Sequence, residues 1–395
     1  MVELVENENM KILAIDTSAD ETSVAITEGF RVLSSTIASQ IKSHNVWGGI
    51  VPSIAKLAHV ERIDGVVSET LRKAHVSVSR QSSVDSHQPN VSDKHLFCAD
   101  DGVLPRGTSQ AKYGVEDTQI NAVAVTYGPG LSIALEVGIN KAKELANTLK
   151  VPLISVNHME GHLYSPFVQN SNGNPHRTLQ YPFLSLLISG GHTQIVFAKE
   201  NGKYEIIGET VDDSAGEALD KAAKMLGLGY PGGPIIERLA YEVGNVDPYR
   251  FPRPMIGEKN CMMSFSGLKT HLYYYLKGEK GQSVDMQKDL KNIASAFQEA
   301  VFNSVMRKFE RAVNQTGVKY WAVGGGVSIN KRLRFLMRTL ARKYNAHVIF
   351  PPYPYLCGDN AAMIGIAAYM QAQRGEFAQD IEALERIPRL KFTSQ

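Results

Sequence analysis

The chain has 395 residues and a formal net charge of only +2, so any nucleic-acid surface has to be local rather than global. With 43% apolar and 21% charged residues it has material for two cored domains, which excludes a disordered chain. Its cysteines, Cys98, Cys261 and Cys357, are far apart and form no C-x-x-C pair, which excludes a disulfide framework and fits a reducing compartment.

Residues 1–10 are acidic and polar, without the basic and apolar regions of a signal peptide, and read as a loose tail. No apolar run reaches the roughly 18 residues of a spanning helix, so a cytoplasmic protein without membrane attachment is expected. Lys11–Asp16 (KILAID) has the pattern of a short buried strand, and 22–27 of a second, across a polar turn at 17–21. Residues 59–74 predict an amphipathic helix. From 76 to 113 the chain turns rich in Ser, Gln, Asp and Gly with almost no period, as expected of a flexible surface insertion. A strand at 121–127 precedes Gly128–Pro129–Gly130 and a helix to Leu149; a strand at 151–156 feeds a helix that carries His158 and His162. Residues 183–197 read as a hairpin turned by Gly190–Gly191. Helices follow at 214–226 and 293–316, a strand at 320–323 ending in Gly324–Gly325–Gly326, a helix after Asn330, a strand at 348–350 and a packed helix at 361–372.

The plan of strands and strand-helix units begins again from Phe183. That predicts an α/β protein of two similar lobes with a central cleft, over 11–150 and 151–395, whose final helices can pack back on the first lobe.

Three segments have the composition of a phosphate cradle: 16–22, Ser189–Gly190–Gly191–His192–Thr193, and Gly324–Gly325–Gly326–Val327–Ser328–Ile329–Asn330. Glycine lets backbone N–H groups approach an anion, and Ser and Thr add hydroxyl donors. Each alone is more often an ordinary turn, and none matches the P-loop or the Rossmann pattern. Asp220 is placed to accept from a ribose or substrate hydroxyl, or to be a solvated helix charge paired with Lys224 at i+4. His158 and His162, four apart on a helix, share one face at a spacing suited to one metal ion, though such a pair also occurs as exposed or hydrogen-bonded histidines. Glu160 stands roughly 200° around from both, unlike the glutamate of the H-E-x-x-H zinc proteases. The best third ligand is Asp359, in Cys357–Gly358–Asp359–Asn360; two His and one carboxylate suit Fe(II), or Zn(II) with a water. Cys357 is read as structural.

Eight motifs in order, DTSADET (16–22), GPGL (128–131), NHMEGH (157–162), SGGHT (189–193), YPGGP (230–234), SFSGLKT (264–270), GGGVSIN (324–330) and CGDN (357–360), make the chain resemble the tRNA adenosine threonylcarbamoyltransferase family in its bacterial TsaD form, once labelled glycoproteases. The resemblance implies the actin/Hsp70/sugar-kinase (ASKHA) fold. It also implies transfer of threonylcarbamoyl from threonylcarbamoyl-AMP to the N6 amine of adenosine 37 in tRNAs reading ANN codons. It places one iron, sometimes zinc, on His158, His162 and Asp359. The substrate site falls on Leu187, Ile188, Ser189, Gly190, Gly191, Asp220, Gly233 and Asn330. Asp20 and Glu21 fall on the family's acidic pair and are candidate bases, or turn carboxylates that cap backbone N–H groups. A TsaB-like paralogue and a TsaE-like P-loop ATPase are the implied partners, besides tRNA.

The sequence departs from the family at Ala19, usually Cys, at Ser53 and Leu57, usually Glu and Arg, and at Asn157, often His; the 76–113 insertion has no counterpart in typical members. The densest basic run is Lys331, Arg332, Arg334, Arg338, Arg342 and Lys343, either a contact for tRNA phosphates or a solvated helix face. An ASKHA-type small-molecule kinase or ATPase explains the glycine turns but not the histidine pair. An inactive scaffold paralogue would be expected to have lost the pair.

Overall fold

A computed structural model describes residues 10–45, 47–81, 120–278 and 285–392. In chain order the elements are β1 (Lys11–Asp16), β2 (Glu21–Glu28), β3 (Arg31–Ser39), α1 (Ile41–Asn45), α2 (Pro52–Gln81), β4 (Ala122–Gly128), α3 (Ser132–Leu149), β5 (Leu153–Asn157) and α4 (His158–Tyr164). Then come β6 (Phe183–Ile188), β7 (Thr193–Glu200), β8 (Lys203–Glu209), α5 (Ala215–Met225), α6 (Gly232–Glu242), α7 (Ser266–Leu276) and α8 (Met286–Thr316). The chain closes with β9 (Tyr320–Gly324), α9 (Lys331–Tyr344), β10 (His347–Ile349) and α10 (Ala361–Gln373).

The described residues form two compact units, one of 10–44, 50–179 and 352–392, the other of 45–49 and 180–351. The sheet of the first is ordered β3-β2-β1-β4-β5, with β3, β2 and β1 antiparallel and β1, β4 and β5 parallel. The sheet of the second is ordered β8-β7-β6-β9-β10, again with an antiparallel meander joined to three parallel strands. The same order and directions appear twice, which is the repetition read in the sequence. The first unit runs past residue 150 because β5 pairs with β4, and α10 belongs to it as well.

The strands nearest the centre of each sheet are continuous apolar runs because both faces are covered. Leu13, Ile15, Val123 and Val125 are fully buried in the first core with Val66 and Val67 of α2. Leu184, Leu186, Trp321 and Val323 are fully buried in the second with Phe297, Phe302 and Phe309 of α8. Each such side chain stabilises its unit by about 1.5–3 kcal/mol. α10 is apolar on every side and buried from Ala361 to Ala372.

Some elements escape the periodicity. β3 buries Ser34, Ser35 and Thr36, so its alternation is masked by small polar residues. β8 is an edge strand of mixed exposure. α6 opens on Gly-Gly-Pro and α7 on Ser-Gly, compositions that read as turns. The helix expected at 59–74 begins at Pro52, a residue tolerated in a first helical turn, and its stripe is diluted by exposed Leu57 and Val60. It continues to Gln81, so the segment expected to be an irregular insertion opens helically; residues 82–113 of that segment lie outside the described residues.

Candidate functional site

In the first unit β1 and β5 are parallel-sheet strands whose carboxyl ends deliver Asp16 and Asn157, the place where open α/β sheets put their ligands. Asn157 caps α4, its Oδ1 accepting from the Met159 N–H at 2.9 Å. α4 therefore starts at His158 and sets His158 and His162 on one face. Asp359 arrives from the turn before α10, which Asn360 caps by accepting from the Met363 N–H at 3.0 Å.

The three predicted ligands meet. Nε2 of His158 and Nε2 of His162 lie 3.3 and 3.2 Å from the same Asp359 Oδ1, and one ligand atom from each residue lies within 4.8 Å of the others. Asp16, which the sequence reading placed at the end of a strand and at the start of a possible phosphate cradle, joins them, its Oδ1 3.8 Å from His158 Nδ1. Nε2 of His162 has the Asp359 carboxylate beside it, while among the described residues Nδ1 of His162, Nδ1 of His158 and Oδ2 of Asp16 are buried without a hydrogen-bond partner. Such atoms cost about 1–3 kcal/mol each unless something satisfies them. Two imidazoles and one carboxylate on one point are a donor set that could hold a metal ion, and the orphaned nitrogens fit that use. Burial opposes charge at His158, but the Asp359 and Asp16 carboxylates raise it to about 9. Burial lowers His162, with the His158 charge adding to the effect against the pull of Asp359. Burial also works against the Asp359 charge, yet the two imidazoles hold that carboxyl well below its usual range.

The turn between β1 and β2 is pinned from several sides. Thr17 donates to the Ala134 carbonyl at 2.9 Å, and the Leu131 N–H donates to the Ser18 carbonyl at 2.8 Å, so the GPGL segment locks the acidic turn. Asp20 is buried and Glu21 is half-buried at the start of β2. Burial and the adjacent Asp20 carboxylate push Glu21 well above the usual carboxylate range. His59, fully buried on α2, holds the same turn: its Nε2 lies 3.1 Å from the Ala19 carbonyl, which it serves as donor, and its Nδ1 accepts from the Thr22 hydroxyl at 2.8 Å. Residue 19 thus contributes its backbone, which the departure to alanine leaves intact. Ser53 and Leu57 are exposed on α2.

Burial lowers His59 below its ordinary 6.5. The unfolded chain then takes up this proton first, so the stability is fully present above pH 6.5 and is lost as pH falls below it. The expected slope is about 1.4 kcal/mol per pH unit for this one proton. Urea unfolding from pH 7 to 5 should show a shallower acid decline in His59→Asn than in the wild type.

The predicted substrate residues gather in the second unit at the carboxyl ends of β6 and β9. Leu187 and Ile188 end β6, with Leu187 paired to Gly324. In the loop that follows, the Ser189 hydroxyl oxygen accepts from the N–H groups of Gly191 at 3.3 Å and His192 at 3.1 Å. Ser214 donates to the Gly190 carbonyl at 2.6 Å while capping α5 through Glu217 N–H at 3.1 Å. Asp220 is not paired with Lys224. Its Oδ1 accepts from the N–H groups of Gly232 at 2.7 Å and Gly233 at 3.1 Å, tying α5 to the first turn of α6. Burial raises its carboxyl against the pull of those two donors. Asn330 is buried and caps α9, its Oδ1 accepting from Arg332 N–H at 2.9 Å and Leu333 N–H at 3.1 Å and its Nδ2 donating to Gln298 at 3.0 Å.

The basic run on α9 is largely engaged within its own unit. Arg332 grips Glu299 with two bonds of 2.7 Å, Arg334 donates to the Ser328 carbonyl at 2.7 Å and lies over Phe350, and Lys343 pairs with Glu310 at 2.6 Å. Glu160 turns from the histidines to Gln371 and Arg374, so it offers no general base beside them. Cys357 is buried, its thiol 3.7 Å from the Tyr353 carbonyl, and Cys98 lies outside the described residues. Among the described residues no helix is long and apolar enough to cross a membrane.

The family model described as TsaD, tRNA N6-adenosine threonylcarbamoyltransferase, matches residues 31–84 and 108–366. The unmatched stretch between them falls inside the 76–113 segment. Proteins named tRNA N6-adenosine threonylcarbamoyltransferase are similar along nearly their whole length. That of Syntrophotalea carbinolica is 40% identical over 91% of this chain and 90% of its own. That of Clostridioides difficile is 40% identical over 96% of this chain and 98% of its own. Among solved structures, HypF of T. kodakarensis superposes with a TM-score of 0.51 over 94% of this chain and 48% of its own, at 14% identity, a likeness of fold alone. The architecture is the ASKHA-type α/β fold expected from the sequence.

Proposed function

We infer the function from a plain premise: the chain belongs to the tRNA N6-adenosine threonylcarbamoyltransferase (TsaD) family. It transfers the threonylcarbamoyl group of threonylcarbamoyl-AMP to N6 of adenosine 37 in tRNAs that read ANN codons. The new bond joins N6 to the carbonyl carbon, AMP leaves with its oxygen, and the amine gives up a proton. The mixed anhydride is already activated, so no Ser or Cys nucleophile is required.

The observation that carries this reading is the cluster of buried His158 and His162 with half-buried Asp359. These residues would hold one divalent ion, Fe(II) ahead of Zn(II), which when bound polarises the carbonyl and fixes the threonylcarbamoyl oxygens. Leu187, Ile188, Ser189, Gly190, Gly191, Asp220, Gly233 and Asn330 would bind the AMP portion and stabilise it as leaving group. Asp20 and Glu21 are the two candidate acceptors of the N6 proton, and burial and the adjacent Asp20 carboxylate raise Glu21 well above the usual carboxylate range. A TsaB-like paralogue and a TsaE-like P-loop ATPase would complete the tRNA surface, in the cytoplasm. Three of the basic residues of α9 already have partners in their own unit, which favours a surface shared among subunits. A small-molecule kinase would leave the histidine-aspartate cluster without a use.

The purified chain should be incubated with unmodified tRNA, threonine, bicarbonate, ATP and the upstream synthase, with and without the two bacterial partners. Threonylcarbamoyladenosine in the digested tRNA, measured by mass spectrometry, is the expected product. Intact tRNA without it under both conditions overturns the assignment.

Asp220→Ala separates nucleotide binding from helix tethering. Loss of a charged acceptor is expected to lower stability by about 1–3 kcal/mol and to weaken AMP binding roughly 10- to 100-fold by calorimetry. A fall in melting temperature at unchanged AMP affinity would reduce Asp220 to a helix tether.

A further inference from the structure

We infer that Glu160 is a positioning residue for the metal cluster, held by Gln371 and Arg374 so that α4 keeps His158 and His162 turned to Asp359. The inference rests on the metal reading of that cluster. α4 spans only His158–Tyr164, too short a helix to hold its own orientation, so the aim of its two imidazoles depends on what anchors it.

Its N-terminus is fixed by the Asn157 cap, whose Nδ2 also donates to the Lys391 carbonyl at 3.2 Å. Its middle lies flat on α10: a Cβ on Gly161 would stand 2.8 Å from Ile364 Cδ1 and 3.1 Å from Met363 Cγ. Every residue of α4 is buried, so packing already restrains the helix, but apolar contacts have little directionality and a directional bond sets the angle more sharply. Glu160 supplies that bond. It sits two residues from each histidine, on the other side of the helix, and is 4% exposed. Its Oε2 accepts from Gln371 Nε2 at 2.7 Å and its Oε1 from Arg374 at 3.1 Å, and Arg374 is itself set by Glu376 at 2.6 Å.

The geometry ties both ends of one helix to one side of the site. Asp359 stands two residues before Ala361, the first residue of α10, and Gln371 lies ten residues further on, about 15 Å along the helix. α10 thus holds the carboxylate ligand at its start and, at its end, the residues that set the rotation of the helix bearing the other two. A buried carboxylate is unfavourable unless it is paired, so a side chain needed merely to fill this space would not be a glutamate. Outer partners that orient first ligands typically change metal affinity 10- to 100-fold when removed.

The test uses the full chain, loaded with Co(II) and Zn(II), and reads affinity by chelator competition and ligand geometry by the Co(II) visible spectrum. Glu160→Ala and Gln371→Leu are expected to weaken metal binding about 10- to 100-fold and to alter the Co(II) bands. Glu160→Gln, which keeps an acceptor toward Arg374, should recover most of both. A destabilised control in the other unit, Arg332→Ala, should lower the melting temperature with neither change. Gln371→Leu keeps the test open if Glu160→Ala does not fold. Wild-type affinity and an unchanged spectrum in the folded variants, whatever their melting temperature, overturn the positioning role alone. A wild-type chain that takes up no metal overturns the metal reading and the inference with it.

Discussion

His162→Ala is expected to leave the purified chain without stoichiometric metal and to cut threonylcarbamoyladenosine formation by about 10³-fold. A metal that polarises a reacting carbonyl supplies several kcal/mol, and each 1.36 kcal/mol is a factor of ten. His162 is the sharpest probe of the cluster because it is wholly buried and, among the described residues, its Nδ1 has no hydrogen-bond partner while its Nε2 lies 3.2 Å from the Asp359 carboxylate. The metal-free variant should therefore melt within a few degrees of metal-free wild type, since it loses an unsatisfied polar ring as well as some packing. Metal content by mass spectrometry, threonylcarbamoyladenosine yield and calorimetry read the three consequences separately. Chelator treatment of the wild type should reproduce the activity loss, and re-addition of Fe(II) should restore it, whereas the variant should not respond. A variant with full metal content and unchanged yield would remove His162 from the ligand set. A fall in melting temperature comparable with a core deletion, at unchanged metal content, would make it a packing residue instead.

The metal cluster was legible from spacing because its two histidines lie one helical turn apart, and helical geometry turns a distance in sequence into a shared face. Asp359 lies about two hundred residues further on, and its place in a turn before a packed helix, together with the family resemblance, suggested it. Asp16 was harder to read, since a carboxylate at the end of a strand has many ordinary uses and only the fold carries it to His158. Asp220 was open between two uses at the sequence level. The helix spacing that suggests a pair with Lys224 holds for any exposed helix, whereas the bonds to Gly232 and Gly233 depend on how α6 meets α5. The role of Glu160 follows the same rule. Its position away from the histidines can be counted on a helical wheel, but its partners come from the far end of a helix more than two hundred residues later. Periodicity reports a residue's own element, and it is silent about which other element comes to meet it.

The other large effect is expected at a residue that touches no reacting group. Gly325→Ala should destabilise the chain by about 3–5 kcal/mol and leave most of it insoluble on expression. Gly325 follows β9 with φ of +93°, a conformation that L side chains rarely adopt. A Cβ there would stand 2.7 Å from the Ile188 carbonyl carbon and 3.0 Å from the Ile188 N, and closer still to the carbonyl oxygen. These are backbone atoms at the end of β6, which pairs with β9 through Leu187 and Gly324, so nothing can swing aside. Either the two strands part at their carboxyl ends or the loop from Gly326 to Asn330 is displaced, and Asn330 then loses its cap on α9. The same bend that costs stability brings the GGG loop up to the Ser189–Gly191 loop, so a residue of pure backbone function sets the spacing of two predicted nucleotide segments. The neighbouring Gly326→Ala, at a position where a Cβ meets nothing within 4 Å, should fold with a loss under about 1 kcal/mol. Urea midpoints of the two variants decide the matter. Equal, small shifts would mean that the β6–β9 contact is looser than its distances imply, and a large shift confined to Gly325→Ala would locate the strain at that single carbon.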